Sequence, residues 1–159
     1  TLWANTPEIA ANTRAAAGFR VSAPTGDKNP NYSAGQWLAG PQAGLTWAPQ
    51  GYGVFTDFSP LARYMMGFSA VSTQVTTLKR SLEFYPSIGL RFSERLTARL
   101  WDENPVEFNS NNGIWFLPVD AYLTYELTKH WAASLGGAKR LTNTSQYDWS
   151  GYGRVVYRF

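Results

Sequence analysis

Apolar and polar residues alternate with period two along most of this chain, and the last twelve residues (DWSGYGRVVYRF) show it best. There Trp149, Gly151, Gly153, Val155, Tyr157 and Phe159 share one face, while Asp148, Ser150, Tyr152, Arg154, Val156 and Arg158 share the other. Alternation of this kind predicts a strand with one apolar-aromatic face and one polar face. Seven further segments read the same way. Residues 12–23 set Ala17, Phe19 and Val21 against Arg14, Gly18 and Arg20. Residues 36–48 set Trp37, Leu45 and Trp47 against Gln36, Gln42 and Thr46. Residues 54–68, the least regular, set Phe58, Tyr64 and Phe68 against Asp57, Ser59 and Arg63. Residues 81–92 oppose Leu82, Phe84, Ile88 and Phe92 to Glu83, Tyr85, Ser87 and Arg91. The short segment 96–103 carries Arg99 and Glu103 on its polar side. Residues 114–127 oppose Trp115, Leu117, Val119, Leu123 and Tyr125 to Asp120, Tyr122, Thr124 and Glu126. Residues 130–141 oppose Trp131, Ala133 and Leu135 to His130, Ser134 and Arg140.

The reading is therefore all-β: an antiparallel transmembrane β-barrel of about eight strands over residues 12–159, each strand with a lipid face and a lumen face. Residues 1–11 read as a periplasmic N-terminal segment or as the end of a preceding strand. In the second case the chain is the C-terminal part of a larger barrel. Two further patterns agree. Counted back from the C-terminus, short links (127–130, 93–95, 49–53) alternate with long ones (142–147, 104–113, 69–80, 24–35), as periplasmic turns and outer loops do. The outward aromatics also sort into two belts, the interfacial placement such rings favour. Trp47, Phe92, Tyr125, Trp131 and Phe159 fall toward the turns; Trp37, Phe84, Trp115 and Trp149 fall toward the loops. Against the pattern stand Pro41, Pro60, Pro86 and Pro118, all read as outward within strands, where each deletes a ladder donor. A soluble sandwich or lipocalin-like barrel would have to turn the aromatic face inward.

Composition narrows the chemistry. Charged residues make up 16% and aromatics 16%, against about 25% charged in an ordinary soluble domain. Cysteine is absent, which removes disulfides and thiolate metal sites. The net charge of +3 is small, and no basic cluster reads as a nucleic-acid surface. No apolar run is long enough for a membrane-crossing helix. The polar faces collect Arg14, Arg20, Arg63, Arg91, Arg99, Arg140, Arg154 and Arg158, with Asp57, Glu83, Glu103, Asp120, Glu126 and Asp148. Such a set makes either a salt-bridged plug or an Arg-lined path preferring anions. Inward Gly and Ala leave room, or let Tyr85, Tyr122 and Tyr152 fold across it. Lys28, Lys79, Arg80 and Lys139 are expected at the loop rim, with Asp102, Glu103 and Glu107 on the 104–113 side diluting any basic patch.

An enzyme reading rests on His130, the only histidine, and Ser134. Four residues along a strand separate them by about 13 Å, beyond the reach of a base and its nucleophile. No cofactor or metal site is expected.

Residues 18–47 (GFRVSAPTGDKNPNYSAGQWLAGPQAGLTW) resemble segments of bacterial outer-membrane barrels of the MetA-pathway phenol-degradation or transporter type. Residues 122–159 resemble the ends of MipA/OmpV-type barrels, and the terminal aromatic strand is similar to the assembly signal of outer-membrane barrels. The resemblance implies a bacterial outer-membrane protein and a passive channel or uptake barrel for small molecules. The alternatives are a non-conducting structural or interaction barrel and, more remotely, a lipid-modifying enzyme. The implied partners are outer-membrane lipid, lipopolysaccharide and other envelope proteins, with no nucleic acid.

Overall fold

The computed structural model describes residues 1–24, 35–71, 75–142 and 148–158. Among them it contains thirteen strands and no helix. The strands are β1 (Leu2–Ala10), β2 (Thr13–Ser22), β3 (Gln36–Trp47), β4 (Phe55–Phe58), β5 (Leu61–Ala70), β6 (Arg80–Tyr85) and β7 (Ile88–Arg91). They continue with β8 (Leu96–Leu100), β9 (Val106–Asn109), β10 (Ile114–Phe116), β11 (Pro118–Glu126), β12 (Trp131–Arg140) and β13 (Trp149–Tyr157). All pair antiparallel in one sheet.

Eight of these strands are halves of interrupted runs. β5 and β4 both lie against β3, β6 and β7 against that pair, and β9 and β8 against the next. Joined end to end, the thirteen strands make nine passes across the sheet. The eight expected segments are all strand, and Leu2–Ala10 adds a pass before them, antiparallel to β2. The two edges, β1 and β13, each have one neighbour, so the sheet is open. With nine alternating passes these edges run in the same direction.

The proline conflict resolves at the interruptions. Pro60 falls between β4 and β5, and Pro86 between β6 and β7, where no ladder donor is required. Pairing of β3 to β5 lapses at Gly40 and Pro41. Pro118, read as outward, begins β11 and is buried on the polar side, in step with Asp120 and Tyr122. The breaks at Pro60, at Pro86 and at residues 101–105 lie side by side on neighbouring passes and form a belt across part of the sheet. The lapse at Gly40 and Pro41 lies farther along β3, opposite Met65 and Tyr64. Backbone bonds bridge the belt: Ser59 N donates to Ser87 O at 2.8 Å and Trp101 N to Asp120 O at 3.0 Å. Gly40 is needed at its own position for a steric reason, the close approach of β5. A Cβ there would sit 1.6 Å from the Tyr64 carbonyl oxygen. Gly40→Ala is expected to destabilise the fold by about 1–3 kcal/mol, seen as a lower urea midpoint in detergent.

The loop readings need two corrections. Residues 104–113 are not one long link: Val106–Asn109 and Ile114–Phe116 pair across a turn of four residues closed by Gly113 N donating to Asn109 O at 2.9 Å. Glu107 therefore lies within a strand. Asp102 and Glu103 sit in the bend between β8 and β9, and both turn to the polar face. Residue 28 lies outside the described residues.

Burial along the strands is inverted relative to a water-soluble core. Leu135, Trp149, Val155, Trp115 and Leu123 are 74%, 74%, 68%, 55% and 50% exposed. On the opposite face Ser81, Asp120, Ser87, Arg63 and Glu83 are at most 6% exposed. The sheet curls tightly around that polar face. Arg154 on β13 reaches Glu103 at 3.3 Å, although three strand spacings, about 14 Å in a flat sheet, separate their passes.

Candidate functional site: a charged polar face

Strand register sorts the inward side chains into rows. One row runs Gln42, Arg63, Glu83, Glu107, each opposite the next on adjoining strands. A second runs Asp57, Gly89, Arg99, Tyr122, Gly136, Tyr152. A third runs Arg91, Thr97, Thr124, Ser134, Arg154. Because strands pair residue against residue, a charge placed once per strand becomes a band across the sheet.

The first row is a compact ionic knot. Arg63 Nε donates to Glu83 Oε2 at 2.8 Å, and its Nη2 lies 2.6 Å from the same oxygen. The other oxygen of Glu83 faces Lys79 Nζ at 3.5 Å and Ser81 Oγ at 3.3 Å. Lys79 also pairs with Glu107 at 2.9 Å. Expected at the outer rim, Lys79 instead joins this inward cluster, because the strand partners of its neighbours carry the acids. Tyr85 completes the knot: Arg63 donates to its hydroxyl and stacks 4.9 Å from the ring centre. Arg140 lines the same small cavity and lies 4.7 Å over the Phe116 ring.

The second row is assembled by the bend. Arg99 Nη2 donates to Asp57 Oδ2 at 2.7 Å. Asp102 accepts from Ser87 Oγ at 2.7 Å and from the Tyr122 hydroxyl at 3.0 Å. Asp120 accepts from Glu103 N at 3.1 Å and the Tyr152 hydroxyl at 3.2 Å. The tyrosines thus lie across the polar space and fasten to carboxylates one and two strands away. The small residues opposite them make this possible: a Cβ on Gly136 would meet Tyr122 Cβ at 2.4 Å and the Tyr152 ring at 2.8 Å.

Of the residues read as lumen-lining, Arg63, Glu83, Arg99, Asp120 and Arg154 come together in these bands. Arg158 and Glu126 form a separate, more exposed pair at 2.8 Å near one end. Arg14, Arg20 and Arg91 have no ion-pair partner among the described residues, and Arg20 lines a cavity of ≈ 270 Å³ with Arg63, Ser87, Asp102 and Glu103. Asp102 and Lys79 are site members that the alternation did not single out, whereas Ser87 stands on the polar face where the alternation put it. Asp102 carried one usable signal, since Asn104-Pro105 two residues on marks a broken strand.

The aromatic residues read as outward are exposed where described: Trp37, Trp47, Phe84, Phe92, Trp115, Tyr125, Trp131 and Trp149. Phe159 lies outside the described residues. Several pair along the face with tilted rings, such as Trp131 with Tyr157 at 4.9 Å and Trp37 with Phe68 at 6.3 Å. His130 Nδ1 lies 3.0 Å from the Arg158 carbonyl oxygen, while Ser134 Oγ shares a hydrogen bond with Thr124 Oγ1 at 2.7 Å. The two are occupied separately. Among the described residues no group of three His, Asp or Glu could hold a metal ion.

Comparison with known proteins finds no matching family, no similar curated protein and no similar solved structure.

Proposed function

We propose that the chain forms the wall of a bacterial outer-membrane β-barrel that passes small polar solutes. The observation that carries this reading is the inverted burial: a continuous apolar-aromatic face outside and a charged, hydrogen-bonded face inside. In water such an outer face would be an aggregation surface; in lipid it is the favourable arrangement. An antiparallel barrel built on this sheet takes an odd number of further strands between β1 and β13, since those edges run the same way. At least ten strands would then surround the polar space, wider than the eight that side chains alone fill. Arg14, Arg20 and Arg91, without an ion-pair partner among the described residues, give that path a positive bias.

A non-conducting barrel is the second reading. The Arg63–Glu83 bridge between neighbouring strands and the Arg99–Asp57 bridge across β7 favour it, because they tie the strands into a polar plug. One preparation tests both. The chain, refolded in detergent and transferred to vesicles, should show tryptophan fluorescence quenched by lipids with brominated acyl chains and little affected by aqueous acrylamide. Quenching by acrylamide alone sinks the membrane reading. In a planar bilayer, discrete anion-preferring steps support the channel, whereas silence from a lipid-quenched protein supports the plug.

A further inference from the structure

We infer that the acid-free row on the polar face is a binding site for a small solute bearing a carboxylate or phosphate group. Register sets Arg91, Thr97, Thr124, Ser134 and Arg154 side by side across five strands. Curling of the sheet brings both ends of this row to one cavity of ≈ 340 Å³, which Arg99 and Arg158 also line. Four guanidinium groups and a row of hydroxyls thus face a single space, and Asp57 is the one carboxylate among its lining residues. The acids that pair with these arginines stand above and below the row. Asp57 and Asp102 hold Arg99 at 2.7 and 3.4 Å, Glu103 touches Arg154 at 3.3 Å, and Glu126 holds Arg158 at 2.8 Å. Arg91 has no ion-pair partner among the described residues, and Arg154 is held at one long contact with its side chain 48% exposed.

That arrangement suits an oxyanion. Guanidinium groups present paired N–H donors to a carboxylate or phosphate, and hydroxyls supply further donors without adding charge. The volume fits a small molecule. The cavity opens on the polar face, opposite the exposed aromatics, so its ligand is a free solute and not a lipid headgroup. The inference rests on the reading of that face as a solute path, and it names the class of solute.

Isothermal titration of the full chain, folded in a neutral detergent at fixed sodium chloride, with inorganic phosphate is the test. Saturable binding is expected, weakened about tenfold in Arg91→Gln by loss of a charge-assisted contact. Thr97→Val, which keeps the side chain's shape, should weaken it less, and Lys129→Gln in the exposed turn should leave it unchanged. Arg91 is exposed and has no ion-pair partner among the described residues, so its replacement is expected to leave the fold intact by circular dichroism. Absent binding, or binding that Arg91→Gln leaves untouched, overturns the site. So does loss of phosphate binding when micelles are doped with a phosphate-bearing lipid, which would make a headgroup the ligand. A chain that is lipid-quenched yet binds no phosphate removes this inference and leaves the membrane reading standing. A chain quenched only by acrylamide removes that reading whatever phosphate does.

Discussion

Leu135→Arg is expected to cost about 2–4 kcal/mol of folding stability in lipid vesicles, because it places a guanidinium near the middle of an outward strand. Leu135 is the sixth residue or nearly so from either end of β12, with Leu123 and Gly153 opposite it on β11 and β13. It is 74% exposed and touches little protein. In a water-soluble sheet the same change at so exposed a site would fall within about 0.5 kcal/mol of neutral. The two environments therefore predict different results from one substitution. Urea unfolding of the vesicle-bound protein, followed by its shift in gel mobility on heating, reads the difference. A midpoint unchanged by Leu135→Arg would place this face in water and remove the membrane reading with it.

Glu83→Gln is expected to be the most damaging single polar substitution, at about 3–5 kcal/mol, since it strands a buried guanidinium. Arg63 and Glu83 have side chains only 7% and 8% exposed, and the carboxylate also answers Lys79 and Ser81. Gln keeps the shape but not the charge, so Arg63 and Lys79 lose their shared counterion. The cost comes from the unpaired partner more than from the lost attraction. Arg63→Met combined with Glu83→Gln should accordingly recover much of the loss, because no buried cation is then left without its acid. Urea midpoints of the two single variants and the double variant complete the cycle. Additive losses would mean that the two side chains contribute independently, and the knot would not be a unit. By contrast, Arg158–Glu126, exposed at 56% and 39%, is expected to contribute little on removal, as surface pairs do.

Much of the face assignment was legible because strand geometry is a strict parity rule. Once Trp115, Leu117, Val119 and Leu123 are placed on one side, Asp120, Tyr122 and Thr124 have no choice but the other. The same rule put Arg63, Arg91, Arg99 and Arg154 together on one face without any knowledge of pairing. It failed where the chain stops being a regular strand. Residues 101–105 left the pattern and carried Asp102 inward beside Glu103, which parity had already placed on the polar side. Lys79 was misplaced for another reason: it precedes β6, so no alternation governed it, and its acids come from Glu83 and from Glu107 on another strand.

What this amino-acid sequence determined by itself was local: strands, their two faces, and which side chains share a side. Period-two alternation encodes these within ten residues, and no distant contact is needed to read them. Only the tertiary structure decided the rest. Register chose which charges stand opposite each other, aligning Arg63 with Glu83 and leaving the Arg91–Arg154 row without an acid. Curling brought Arg154 to Glu103 across three strands, and the aligned breaks set where the sheet bends. Those features depend on residues far apart in the chain meeting at one height in the sheet. A one-residue slip between neighbours would erase them while leaving much of every strand's own pattern intact.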